Sequence, residues 1–253
     1  MNVKSLAGAI VGIAALLATA SISAAEIKVL ASGGVRGALQ ELAPAFERAT
    51  GNKLVITFGP AAVLKRQIEG GEAFDLLAIL TSAGIDDLAK QRKLDAGSRA
   101  AIARSGVGIG IRKGAPRPDI GTADAFKRTL LAAKSISWVK EGASGIYFAS
   151  LLERKGIAGQ MKPKAAPAAL GAEVGKLVVA GKAELGVALV NELMAAPGVE
   201  VLGPLPAELQ NYTVFHAGVG VGSKDSAAAK ALIKFLTTPA AGAVFRAKGQ
   251  EPG

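Results

Sequence analysis

Three short runs combine residue types that could hold a charged ligand. They are Ser32-Gly33-Gly34, Gly59-Pro60-Ala61-Ala62, and the stretch from Glu141 through Gly142, Ala143, Ser144, Gly145 and Ile146 to Tyr147. In each, small residues stand where a β-rich run gives way to a helical pattern. Glycine lets a backbone approach a ligand closely, and the free N–H groups of a helix N-terminus attract anions. Ser144 can cap a helix, while Gly142 and Gly145 leave the backbone around it accessible. Arg36 and Arg66 fall about one turn inside the helices that follow the first two runs, where each could reach a ligand. The same residue types also make ordinary turns, caps and surface charges. The pattern therefore points to an anion cradle without naming the anion.

More specialised chemistries fit poorly. Residues 33–37 run G-G-V-R-G and miss the G-x-G-x-x-G dinucleotide fingerprint. Residues 142–146 run G-A-S-G-I, which is neither a G-x-S-x-G nucleophile elbow nor a Walker motif with its lysine. With no Cys and one His, the chain has no means of forming a disulfide, a Cys-ligated cluster or a multi-His metal site. An exported hydrolase would need a serine paired with His216, which sits in an alternating strand pattern from Thr213 to Ala217. Asp86-Asp87 and Glu251 show no glycosidase-like pairing. Asp75 interrupts an apolar strand and would need a hydrogen-bonding partner there. No catalytic residue, metal or cofactor is expected.

The elements that must position these runs follow from composition and periodicity. The chain has 253 residues, 50% hydrophobic and 20% charged, which excludes a disordered polymer and suffices for one large domain or two small ones. Lys4, the apolar run Leu6 to Ala20 and Ser23-Ala24-Ala25 have the pattern of a secretory signal peptide, residues 1–25, cleaved before Glu26. The apolar run is too short to span a bilayer, and no Cys follows it to carry a lipid. A soluble protein of the periplasm is expected. Its formal charge is +10, or +9 once Lys4 is removed, which favours anionic partners. The basic residues are scattered and aromatics make up 4%, so nucleic acid is not expected as a partner.

Strands are expected at Ile27 to Leu30, Lys53 to Phe58 and Phe74 to Leu80, with helices between and after them. The first helix carries Val35, Leu39, Leu42 and Phe46 on one face and ends at Gly51; Ser82 would cap the third. This β-α-β-α-β-α order is the signature of an open α/β sheet. A Gly-rich strand, Val107 to Ile111, leads to a second α/β stretch. There, helices are expected near 122–133, from Ser144 and near 172–180, with strands at Ser135 to Trp138 and Leu185 to Leu189. Val199 to Leu202, a strand from Thr213 to Val221 and two helices close the chain. The Gly-rich strands 105–111 and 213–222 could run between the two halves.

The mature chain resembles the bacterial periplasmic molybdate-binding proteins of ABC importers, among the type II periplasmic solute-binding proteins. The resemblance rests on I-K-V-L-A-S-G-G-V-R-G-A-L-Q-E-L-A-P-A-F-E at 27–47, L-K-R-Q-I-E-G-G-E-A-F-D-L at 64–76, S-G-I-Y at 144–147, A-E-L-G-V at 183–187 and P-A-A-G-A-V-F at 239–245. It implies a two-lobe α/β fold, each lobe an open, mostly parallel sheet flanked by helices, with two crossing hinge strands. Lobe I would comprise 26–104 and 213–253, and lobe II 105–212. It further implies a protein that captures a small anion, molybdate- or tungstate-like, between the lobes, closes over it, and delivers it to an ABC importer permease in the membrane. A monomer is expected, because this reading leaves no long apolar face uncovered.

Such proteins hold their oxyanion with hydroxyls and backbone N–H groups. Carried over, the serine of the first junction falls at Gly34, just after Ser32 and Gly33. That of the second falls at Ala61 or Ala62. The tyrosine after the Leu185 strand falls near Leu189, with Asn191 two residues on. Ser144 and Val174 take the remaining places and would serve through backbone N–H, with Tyr147 nearby and Arg36 and Arg66 farther out. At least two hydroxyl donors are thus missing, each worth about 1.5–3 kcal/mol toward a buried charge. This leaves a small organic carboxylate as the alternative ligand, and a ligand sensor for a membrane receptor as the alternative role.

Overall fold

The computed structural model describes residues 25–79 and 82–253. The expected signal peptide, apart from Ala25, and the expected side-chain cap at Ser82 lie outside what is described. The first half of the chain alternates as expected: β1 (Glu26–Ser32), α1 (Arg36–Thr50), β2 (Lys53–Gly59), α2 (Ala61–Glu69), β3 (Leu76–Ile79) and α3 (Ser82–Lys90). The long β4 (Ala100–Arg112) leads to α4 (Ala123–Ala132), β5 (Ile136–Val139), α5 (Ala143–Arg154) and α6 (Ala158–Met161). Next come β6 (Ala165–Ala168), α7 (Gly171–Val179), β7 (Leu185–Leu189), α8 (Val190–Met194) and β8 (Val199–Pro204). The chain ends with β9 (Tyr212–Val219), α9 (Ser226–Leu236), α10 (Pro239–Ala247) and β10 (Glu251–Pro252).

The strands lie in the order β2-β1-β3-β9-β4-β7-β5-β6. Each end of this series has a parallel centre, β1 beside β2 and β3, and β5 beside β6 and β7. The two halves meet on β4. Its first part, Ala100 to Gly106, pairs antiparallel with β9, and its second, from Val107, pairs with β7 and β8. The return crossing is not inside β9, which pairs along its length with β3 and β4. It lies just before it, where Leu205 N–H donates to Val107 O at 3.1 Å and Val107 N–H donates to Asn211 O at 3.2 Å. The Gln210 carboxamide bonds both backbone groups of Val107.

Local sequence explains these elements. In α1, Leu39, Leu42 and Phe46 recur on one face and are buried, each worth about 1.5–3 kcal/mol of removed apolar surface. Phe46 meets Phe235 of α9 edge-on at 5.5 Å, fixing the two helices together. Gly51 ends α1 at φ +76°, a conformation that favours glycine. In β4, a Cβ at Gly108 or Gly110 would come within 2.8 Å of Val190 or Val199, so these glycines let α8 and β8 lie against the strand. Asp75 is buried and fully engaged. It accepts from Lys28 N–H at 3.1 Å, Ser223 Oγ–H at 2.9 Å and Lys224 N–H at 3.0 Å, pinning the segment before α9 to β1. No helix among the described residues is long and apolar enough to cross a membrane.

Candidate functional site

A cavity of about 570 Å³ opens between the two halves of the sheet. It lies where β1, β2, β5 and β7 hand over to helices, and where α7 begins after β6. Open α/β sheets bind ligands at the carboxyl ends of their strands, and this cleft has that position on both halves at once. Three helices start there without a side-chain cap: α2 at Pro60, α5 at Gly142 and α7 at Leu170. Gly59, Pro60 and Ala61 line the cleft from one side, and Gly142, Ala143, Ser144, Gly171 and Ala172 from the other. Unsatisfied first-turn N–H groups and three converging dipoles make this a place for negative charge.

The first junction is built differently. Ser32 Oγ accepts from Gly34 N–H at 3.2 Å and so caps the short turn Gly33–Val35 that starts α1. Gly33 is open, and a Cβ there would meet no heavy atom within 4 Å, whereas a Cβ on Gly34 would sit 2.5 Å from the Phe215 ring. The position where the resemblance calls for a serine therefore has no space for any side chain. The backbone is used instead: Asn191 Nδ2 donates to Gly34 O at 2.5 Å, linking the halves. Asn191 Oδ1 is left without a partner among the described residues.

Among the residues singled out in the sequence, Ser32, Gly33, Gly34, Ala61, Ser144, Asn191 and Arg36 line the cleft. Ser144 is inside the first turn of α5, not its cap, which is Gly142. Four others are placed elsewhere. Val174 is fully buried against Gly186 and the core, one turn past the α7 start, so Gly171 and Ala172 face the cleft in its place. Tyr147 turns away, its hydroxyl donating to Leu209 O at 2.7 Å and its ring beneath Arg154. Ala62 lies past the cleft-facing end of α2. Arg66 sits outside the cavity, Nη2 3.9 Å from Glu141 Oε2, with both side chains well exposed.

Residues that sequence reasoning missed complete the wall. Gln250, 3% exposed, lines the cleft with both carboxamide atoms unpartnered among the described residues. Lys248 lines it too, its Nζ 2.7 Å from Glu41 Oε2. Arg36 sits over Phe58, its Cζ 4.2 Å from the ring centre. Glu192 is the unusual one. Its Oε2 accepts from Leu189 N–H at 3.2 Å, and its carboxyl group packs on Gly171, where a Cβ would be 2.1 Å away. Burial outweighs that hydrogen bond and pushes its pKa up to about 7. Its only sequence signal was its place after Asn191 in a strand-to-helix junction.

His216, by contrast, does not share the cleft with Ser144. It is buried beside Arg99, whose Nη2 is 3.3 Å from its Nε2, and it does not line the cleft. The serine–histidine pair of a hydrolase is not assembled.

The comparisons agree with this architecture. Residues 27–251 match the sequence family described as bacterial extracellular solute-binding protein. An aconitate isomerase of a Pseudomonas species is 32% identical over 94% of each chain. A molybdate-binding protein of Azotobacter vinelandii is 27% identical over 97% of each. The solved structure of an Azotobacter vinelandii periplasmic molybdate-binding protein superposes with a TM-score of 0.76 at 19% identity, over 90% of this chain and 99% of that one.

Proposed function

Since the chain belongs to the bacterial extracellular solute-binding proteins, we propose that it is exported, captures a small anion in the cleft between its two lobes, and presents it to an ABC importer permease. The observation that supports this is the convergence of three uncapped helix N-termini from both halves on one cavity. Neutral N–H donors hold a dehydrated anion by charge-assisted bonds without requiring a counter-ion. In this reading lobe I is 26–104 with 213–253, lobe II is 105–212, and residues 1–25 are removed on export.

Two ligand classes fit those donors. One is a tetrahedral oxyanion, as the name of the Azotobacter relative suggests. The other is a small organic polycarboxylate, as the name of the Pseudomonas relative suggests. The carboxylate reading draws support from the amides. Gln250 and Asn191 leave acceptor atoms unpartnered beside the cavity as well as a donor, and an acceptor suits a ligand that carries a hydroxyl or a protonated acid. Arg36 and Lys248 would then meet separate carboxylates.

Calorimetry of the mature chain with molybdate, tungstate, sulfate, phosphate, citrate and trans-aconitate tests this. A ligand selective for the folded state also raises the melting temperature, by several degrees at about a hundred times its dissociation constant. Saturable binding of any one of these supports anion capture, and the responding group selects the ligand class. Silence across the whole panel overturns it.

A further inference from the structure

We propose that Glu192 is the acid–base residue of an allylic proton shift on an unsaturated polycarboxylate held in this cleft, an inference that rests on the carboxylate form of the capture reading. The carboxylate would take a proton from a methylene carbon lying between a carboxylate and a carbon–carbon double bond. The C–H bond breaks, an O–H bond forms on Glu192, and the electron pair spreads into the conjugated system as an extended enolate. The carboxylic acid then returns the proton to the far carbon of the former double bond. The double bond moves by one carbon, and in a tricarboxylate of the aconitate type the trans isomer can become the cis one. Nothing is oxidised or reduced, and neither water nor a cofactor is consumed.

The geometry carries this reading. Glu192 borders the cavity, and no lysine or arginine among the described residues pairs with it. Its bond to Leu189 N–H closes the start of α8, but no ion pair offsets the burial of its charge. One of its oxygens is fixed by Leu189 N–H at 3.2 Å, which leaves the other to act on a bound molecule. Glycine at 171 is what allows the carboxyl group to lie there at all. Across the cleft, Arg36 and Lys248 are placed to hold terminal carboxylates, and the uncapped helix starts are placed to receive the charge that spreads onto a carboxylate in the enolate. Gln250, buried with its carboxamide unpartnered, supplies a further bond to an oxygen of the ligand. A carboxyl group whose pKa stands near 7 can take and return a proton at neutral pH. The charged side chains that share its cavity among the described residues are Arg36 and Lys248.

The test is proton NMR of the mature chain with trans-aconitate in deuterium oxide, beside calorimetry of the same mixture. Deuterium is expected to enter the methylene and vinyl positions while cis-aconitate accumulates, with a rate that rises with pH through one ionisation near 7. In Glu192→Gln the carboxamide oxygen still accepts from Leu189 N–H, so α8 should keep its start. Its exchange rate at saturating trans-aconitate should fall at least about a hundredfold, with the melting curve showing that the variant is folded. Binding without exchange in the wild type overturns the proposal and leaves capture standing. Exchange undiminished in Glu192→Gln overturns the role of that residue. Absence of binding overturns the carboxylate reading and the proposal with it.

Discussion

The glycine at 34 offers a direct test of why the first junction departs from the hydroxyl pattern. A Cβ there would lie 2.5 Å from Phe215 Cε1, 2.7 Å from Cζ and 3.4 Å from Leu189 Cδ1. Carbon atoms pack at about 3.5–4.0 Å, so ring or backbone must move by close to an ångström. Phe215 is fully buried in the main core, and the Gly34 carbonyl is held by Asn191, so neither side yields freely. Overpacking of this kind costs about 1–3 kcal/mol. At about 2–4 °C per kcal/mol for a chain of this size, Gly34→Ala should melt roughly 2–12 °C below wild type. Gly33→Ala is the control: it meets no heavy atom within 4 Å and should stay within about 0.5 kcal/mol of wild type. Phe215→Leu should relieve the clash, so the double variant should lose less than the sum of the single losses. The assay is thermal and urea unfolding of all four variants. A Gly34→Ala melting temperature within a degree of wild type, or strict additivity with Phe215→Leu, would refute the claim that packing dictates this glycine.

Other perturbations read different parts of the molecule. Ser144→Asp places a negative charge in the buried first turn of α5, where attraction to the helix start is set against desolvation; with the melting curve showing a folded variant, anion binding by calorimetry should be abolished; wild-type affinity would remove α5 from the site. His216 is held neutral first by burial and second by the nearby Arg99 charge, so its folded pKa lies below the unfolded value of 6.5. The unfolded chain binds more protons in that window, and stability should decline as pH falls below about 6.5 and level off beneath the folded pKa. Glu192, with its raised pKa, acts in the opposite sense, favouring low pH and losing its contribution as pH rises through about 7. Urea midpoints at pH 5 and 7.5 should therefore differ between wild type and His216→Gln, with Glu192 common to both; identical differences would disprove the assignment.

Much of the fold was legible because its signals are local. The spacing of Leu39, Leu42 and Phe46, the stop at Gly51 and the apolar run of β7 each specify an element without help from distant residues. β6 was missed because Ala165–Ala168 has no alternation and becomes a strand only by pairing with β5. The return crossing was displaced too: it is no strand but a link around the short turn Ala207–Leu209, held by hydrogen bonds to Val107 that no periodicity along the chain reveals. At the site, the glycine-bearing junctions could be read, because a strand followed by an uncapped helix start is a local pattern. Val174 was misplaced by one turn of α7, and a shift of three residues on a helix moves a residue from the ligand to the core. Gln250 and Lys248 follow the last helix and reach the cleft only through the packing of α10 on α1, which no spacing along the chain reveals.

The two cations on the cleft wall are not equivalent, and their difference bears on how the anion is held. Lys248 is partnered by Glu41, so much of its charge is answered before a ligand arrives. Arg36 has no carboxylate partner among the described residues; its guanidinium is laid on Phe58 instead. The ring contact holds the guanidinium without neutralising it, so its charge is left to answer a carboxylate. A single compact oxyanion seated among the three helix starts would have little use for this arm, since neutral N–H donors already surround it. A ligand with carboxylates on separate carbons would use both, one group at the helix starts and another at Arg36. The missing hydroxyls and the oriented arginine then have one explanation: a site whose specificity has moved from the backbone cradle toward the side chains around its rim.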